Sequence, residues 1–139
     1  MKYIDYQEHR QHGTFNFPIA HYHENPHTPR YLMTYHWHTN YEIVYIRKGS
    51  FNLTLDDKTE TYHEGDVVFI SDGMLHGGTP TDCWYDCIVF DLKILLKNNN
   101  ACSKTVQDII NHRIRINTYL SKNNHIISAI VQDLCNTLA

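Results

Sequence analysis

Clustered positive charge is missing from this chain. Twelve Lys and Arg stand against fifteen Asp and Glu, a formal net charge of −3 over 139 residues. Gripping nucleic acid directly needs Lys and Arg gathered on one face to neutralise phosphates, so these residues are not expected to read DNA by themselves. Long apolar runs are missing too: none approaches the roughly 18–20 residues of a membrane span. The first residues, Met1-Lys2-Tyr3-Ile4-Asp5-Tyr6, contain no apolar signal core. A cytoplasmic setting without membrane contact is therefore expected, and Asn52-Leu53-Thr54 is not expected to carry a glycan. There is no Gly-x-Ser-x-Gly elbow and no glycine-rich phosphate loop, which leaves nucleophilic catalysis and nucleotide binding unsupported. Gly77-Gly78 reads as a turn. Cysteine is sparse, and Cys83, Cys87, Cys102 and Cys135 are too scattered for a disulfide framework, so reduced, mostly buried thiols are expected.

What is present is enough for one globular domain, with 42% hydrophobic residues. Residues 1–30 are polar and rich in histidine, and Pro18, Pro26 and Pro29 punctuate them. They read as an N-terminal arm with one extended stretch over 15–22. From 31 to 90 the pattern is β. Short runs of β-branched and aromatic residues fall at 31–34, 42–47, 51–55, 59–63, 67–70 and 84–90. Turn signals separate them at 48–50, 55–58, 64–66 and 77–80. Many short, regularly spaced strands mean a sandwich or a barrel. After a polar loop over 97–100 the period changes to that of helices. Ser103 can cap one helix, running to about 111–119. Ser121 or Asn123 can start another, in which Ile127, Ile130, Val131, Leu134 and Leu138 form one stripe with Ile126 beside it. The pattern reaches Ala139 without a stop signal, as expected of a piece of something longer or of a helix packed on a partner.

The residues that carry chemistry lie in two stretches, His36 to Gly49 and Gly65 to His76. His36, His38 and Glu42 are evenly spaced, so on one strand they would share a face. His76 follows the apolar run 67–70 and can reach the same interior from another wall. Three imidazoles and a carboxylate suit a divalent first-row metal such as Zn, Ni, Mn, Fe or Cu; a buried polar network is the plainer alternative. Parity puts Trp37 on the opposite face from its histidine neighbours. Tyr45 and Trp84 are candidates for an aromatic pocket wall. His21, His23 and His27 read as solvated arm residues. His9, His12, His63, His112 and His125 receive no role.

These same residues carry a family resemblance. His36, His38, Glu42 and Gly49 match the first cupin motif in identity and spacing, with Arg30 where a leading Gly is usual. Gly65, Gly73 and His76 match the second, with Ser71 in place of Pro and Pro80 in place of Asn. The run Tyr41-Glu42-Ile43 to Gly49, then Gly65-Asp66-Val67 and a loop ending in His76, resembles the N-terminal sensor domain of AraC/XylS-type transcription regulators. The resemblance implies a mainly β cupin (jelly-roll) barrel over 31–96 and a dimerising helix pair over 97–139. It implies a small-molecule effector near His36, His38, Glu42, His76, Tyr45 and Trp84, and a possible divalent metal on the first four. DNA would be bound only through a domain that this chain lacks, and the chain would not be an enzyme. The alternative is a stand-alone metal-dependent cupin enzyme, a dioxygenase or isomerase.

Overall fold

The computed structural model describes residues 2–96, 101–121 and 124–139. Six antiparallel strands form one folded sheet: β1 (Ile19–Glu24), β2 (Met33–His36), β3 (Tyr41–Leu55), β4 (Lys58–His63), β5 (Val67–Ile70) and β6 (His76–Phe90). β3 and β6 are each 15 residues long and pair with one another nearly end to end. The first half of β3 also pairs with β5 and its second half with β4. In the same way β6 pairs with β2 near its start and with β1 near its end. The two long strands thus pass from one wall to the other and close the sheet into the expected barrel.

This joins strands that the sequence reading separates. The turn expected at 48–50 is a bulge inside β3, where the register shifts between Ile46 and Ser50. Gly49 sits there at φ 80°, and a Cβ would lie 2.1 Å from the Asp82 carbonyl oxygen, so only glycine permits the approach. The bulge also changes which parity points inward: Val44 and Ile46 before it, Phe51 and Leu53 after it, all belong to the barrel core. The expected turn at 77–80 likewise lies within β6. A Cβ on Gly78 would meet the Asn52 carbonyl oxygen at 2.3 Å, so the glycine serves a close backbone approach. The strand expected at 15–22 is Ile19–Glu24. It pairs with β6 over all six residues, so the sheet begins inside the segment assigned to the arm.

The interior is apolar at one end. Phe51 and Tyr85 meet edge to face at 4.7 Å among Val44, Ile46, Leu53, Val68 and Cys83. The outer face is covered by two helices, α1 (Ser103–Ile110) and α2 (His125–Leu138). α1 packs Val106 toward Tyr41, Phe69 and Leu92. Ser103 is its first residue rather than its cap, and it ends at Ile110, short of the longest expected span, with His112 at φ 59° just beyond. The chain then runs extended along β5, where Phe69 N–H donates to the Thr118 carbonyl at 2.7 Å. Asn124 caps α2, its side chain accepting from Ile126 N–H; Asn123 and the loop over 97–100 lie outside the described residues. The apolar stripe expected on α2 divides in two. Ile127, Val131, Cys135 and Leu138 pack on Tyr45, Val67 and Ile88, while Ile126, Ile130 and Leu134 remain 71%, 61% and 39% exposed.

Candidate functional site

The parity argument for His36, His38 and Glu42 assumes one strand, and the structure has two. β2 ends at His36, the chain bends at 39–40, and β3 starts at Tyr41. The residues meet nonetheless, because register brings them together. His36 lies directly across from His76 on β6, their rings 4.2 Å apart. His38 closes the group at 5.5 Å from His36 and 4.9 Å from His76. Glu42 points inward from β3 with Val44 and Ile46. His76, Glu42 and His38 are buried.

Each imidazole is oriented by a backbone carbonyl. Nδ1–H donates to Thr34 O at 2.6 Å from His36, to Asn40 O at 3.0 Å from His38 and to Met74 O at 2.7 Å from His76. A carbonyl only accepts, so in the neutral rings the proton is on Nδ1 and Nε2 presents a lone pair. Those lone pairs converge. One ligand atom from each of the three rings lies within 4.8 Å of the others. His76 Nε2 is 2.8 Å, and His38 Nε2 3.6 Å, from Glu42 Oε2. Yet His38 Nε2, His76 Nε2 and Glu42 Oε2 all lack a well-directed hydrogen bond while fully buried. Buried polar atoms left this way are costly. Two ligands each about 2.1 Å from one ion stand about 3.0–3.4 Å apart, close to the separations here. The donor set and its carbonyl outer partners fit a divalent cation with nitrogen and oxygen ligands.

Burial alone would push the Glu42 carboxyl up; the imidazoles of His38 and His76 outweigh it and hold the group well below the usual carboxylate range. Burial, and then the neighbouring His76, push His36 down. For His76 burial acts downward, but Glu42 prevails and raises it. The Cys87 thiol, inward-facing on β6, is kept protonated by burial and by the Glu42 charge beside it.

His36, His38 and Glu42, but not the fully buried His76, line a cavity of about 270 Å³ whose walls include Arg10, Tyr22, Arg30, Met33 and Tyr85. Tyr45 and Trp84 are not among them. Both have outward parity: Tyr45 packs beneath α2, and the Trp84 ring lies under the Lys48 ammonium at 4.7 Å. Trp37 also points away from the histidines, as expected, and stacks on Tyr3 at 4.4 Å.

Sequence reasoning missed two things. The first is Glu8 and His12 from the arm. Glu8 Oε1 contacts His12 Nε2, and Glu8 Oε2 is 3.7 Å from His36 Nε2. Only the four-residue spacing of Glu8 and His12 hints at this pair. The second is a carboxylate cluster outside the barrel. His21 and His23 are not free arm residues: both contact Asp86, at 2.8 and 2.7 Å, His21 largely buried and His23 still exposed. Arg47 grips the same carboxylate with Nε and Nη2, at 2.8 and 2.9 Å.

Residues 18–138 match the family described as the AraC-like ligand binding domain. Over 83 residues, 56% of the chain, the sequence is 32% identical to the uncharacterized HTH-type transcriptional regulator YdeC of Bacillus subtilis strain 168. The chain spans 28% of that protein's length. Similar solved structures include oxalate decarboxylase of Bacillus subtilis, a protein with Mn(II) centres, at 22% identity over 43% of this chain and 18% of that one, TM-score 0.41. An RmlC-like cupin with a double-stranded β-helix fold from Methanocaldococcus jannaschii gives 22% identity over 52% and 67%, TM-score 0.43. At scores this low these likenesses carry no argument. The family match covers most of the chain, and on that ground the chain belongs to the AraC-like ligand binding domain family.

Proposed function

We propose that this chain is the effector-sensing and dimerisation part of an AraC-type transcription regulator, and that the sensing site is built on a divalent metal. The observation that carries the site is the set of buried, unsatisfied Nε2 and Oε2 atoms of His38, His76 and Glu42, with His36 at the rim. Among these residues His36, His38, His76 and Glu42 would hold the ion. The ion would supply an electrophilic point for an oxygen- or nitrogen-bearing effector. The cavity above it is at the small end for ligand sites, so a small molecule suits it.

The division of labour in this reading is an arm over 1–30 that lends β1 to the sheet, a barrel over 31–96 and a helix pair over 97–139. The exposed Ile126, Ile130 and Leu134 would meet a second copy across a two-fold axis. DNA would be contacted by a further domain of a longer protein, as the regulator relative and the acidic balance of these residues support. A cytoplasmic setting fits this role; no described helix is long and apolar enough to cross a membrane. The effector acts by binding two conformations with different affinity.

Metal analysis of the purified chain, followed by thermal shift with candidate effectors, tests this reading. A ligand at a hundred times its Kd stabilises by about 2.7 kcal/mol. Absence of metal in both purified and reconstituted protein would defeat the metal part. A stand-alone metal-dependent cupin enzyme is the second reading, favoured by the complete ligand set; oxygen consumption by the metal-loaded chain would support it.

A further inference from the structure

The arm reaches the candidate metal site by a specific route. Trp37 lies between His36 and His38 and faces the other way. Its ring stacks on Tyr3 at 4.4 Å with planes 6° apart, and its Nε1–H donates to the Tyr3 carbonyl at 2.7 Å. Its backbone exchanges hydrogen bonds with the arm: Trp37 N–H donates to Tyr6 O at 3.0 Å, and Glu8 N–H donates to Trp37 O at 2.9 Å. The Tyr3 hydroxyl donates to Gly73 O at 2.6 Å, tying the arm to the loop that precedes His76. The His36-Trp37-His38 edge that presents two candidate ligands therefore also seats the arm, one residue out of phase.

Glu8 is where that seating meets the site. Its Oε2 is 3.7 Å from His36 Nε2, matching the 3.6 Å between His38 Nε2 and Glu42 Oε2. Its other oxygen contacts His12 Nε2, and His12 Nδ1 lies 2.7 Å from the Tyr22 hydroxyl on β1. His12 is buried and sits edge-on to His38 at 5.5 Å. Ligand atoms of Glu8, His12 and His38 lie within 4.8 Å of one another, so this group shares His38 with the first. A carboxylate with one oxygen turned to the imidazoles and the other held by an anchored His–Tyr pair has the usual arrangement of a metal ligand and its outer partners.

Building on the metal reading above, we infer that Glu8 is an arm-borne ligand that closes the metal site, so that metal binding and docking of the N-terminal arm stabilise one another. Glu8 approaches from the arm, its Oε2 3.7 Å from His36 Nε2, and would add a second carboxylate to the donors the barrel offers. Coupling of this kind is reciprocal: whatever docking adds to metal affinity, metal adds to docking.

The test uses the full chain with Zn²⁺ alone, its affinity measured by chelator competition and the arm followed by amide hydrogen exchange at Glu8 and Trp37. In the wild type Zn²⁺ is expected to slow exchange at both amides. Glu8→Gln keeps a partner for His12 and removes the charge; it is expected to weaken Zn²⁺ binding about tenfold or more and to abolish the metal-dependent protection. Glu8→Asp restores part of both. Equal affinity and equal protection in Glu8→Gln and wild type would overturn the role of Glu8 and leave the metal site standing. No Zn²⁺ uptake by the wild type would overturn both.

Discussion

Two buried carboxylates in this domain are each surrounded by histidines, and they have opposite characters. Asp86 is 1% exposed on the outer side of β6. Both its oxygens are satisfied, by the fork of Arg47 and by His21 and His23. Arg47 supplies a permanent positive charge, and its Nη2 also donates to Asn136 of α2 at 3.0 Å. Glu42 is equally buried on the inner side of β3, but no Lys or Arg pairs with it among the described residues, and its imidazole neighbours turn lone pairs toward it. His21, Asp86 and Cys135 do come within ligand distance of one another, yet the guanidinium already fills the role a cation would take. Clustered histidines alone therefore do not mark a metal site. The distinction lies in whether the charge is already neutralised by the chain. Asp86 fastens α2 and β1 to the barrel; Glu42 has no such guanidinium among the described residues.

The comparison breaks most sharply at Arg47. Arg47→Ala leaves Asp86 buried and under-compensated, so it is expected to destabilise the fold by about 3–5 kcal/mol, read by denaturant unfolding. Glu42→Gln is expected to do the reverse. It should cost the metal-free protein less stability than Arg47→Ala does, because no permanent charge faces the carboxylate it removes and that carboxylate lacks a full set of partners. Its Zn²⁺ affinity should fall by more than about 100-fold, beyond the loss typical of outer partners. If Glu42→Gln unfolds the metal-free protein as readily as Arg47→Ala does, both clusters are structural and the distinction fails.

Acid should separate the clusters next. Burial pushes Asp86 up, but Arg47, His23 and His21 prevail and hold its carboxyl below the usual value. A folded value below the unfolded one contributes stability above the unfolded pKa, about 3.9; that stability is lost as pH falls through the folded value. Glu42 shares this sign. The metal adds a separate, earlier loss, since imidazole ligands must be neutral and ordinarily protonate near about pH 6.5. Melting curves with and without Zn²⁺ are expected to converge between about pH 6.5 and 4, before the Asp86-dependent fall. Asp86→Asn should flatten only the later limb. Curves with and without Zn²⁺ that stay apart below pH of about 4 would place the ion somewhere other than on these imidazoles.

Much of the inner site was legible in the sequence, because His36, His38, Glu42 and His76 stand at motif spacing and strand register does the rest. The even-spacing argument picks residues that do converge, but by a wrong local path, since parity does not show the bend at 39–40. Tyr45 and Trp84 were misplaced for a related reason: alternation assigns faces only relative to a known inward residue, and Glu42 and Cys83 supply that reference only after folding. The bulge at Gly49 reads as a turn because glycine serves both. The outer cluster was hidden, as Arg47, Asp86 and the histidines lie on three strands whose adjacency no local pattern encodes. Glu8 was hidden for the same reason.

The smallest effect expected concerns what the Asp86 cluster mounts. α2 is held by Asn136 on Arg47 and by Ile127, Val131, Cys135 and Leu138 on the sheet. Ile126, Ile130 and Leu134 face outward, one turn apart, as a narrow apolar strip. If that strip joins two copies, Ile130→Lys places a charge at its centre and should weaken self-association by about 1–2 kcal/mol. The same change should alter monomer stability by no more than about 0.5 kcal/mol, as expected for an exposed position. Leu134→Lys, at a less exposed position, should affect both more. Neither should change Zn²⁺ uptake, since the strip touches neither carboxylate cluster. Light scattering across a concentration series, with circular dichroism to follow the fold, measures this. A wild-type chain that stays monomeric at high micromolar concentration would remove the strip from the dimer interface. Unfolding of Ile130→Lys would show that the exposed half of α2 belongs to the core after all.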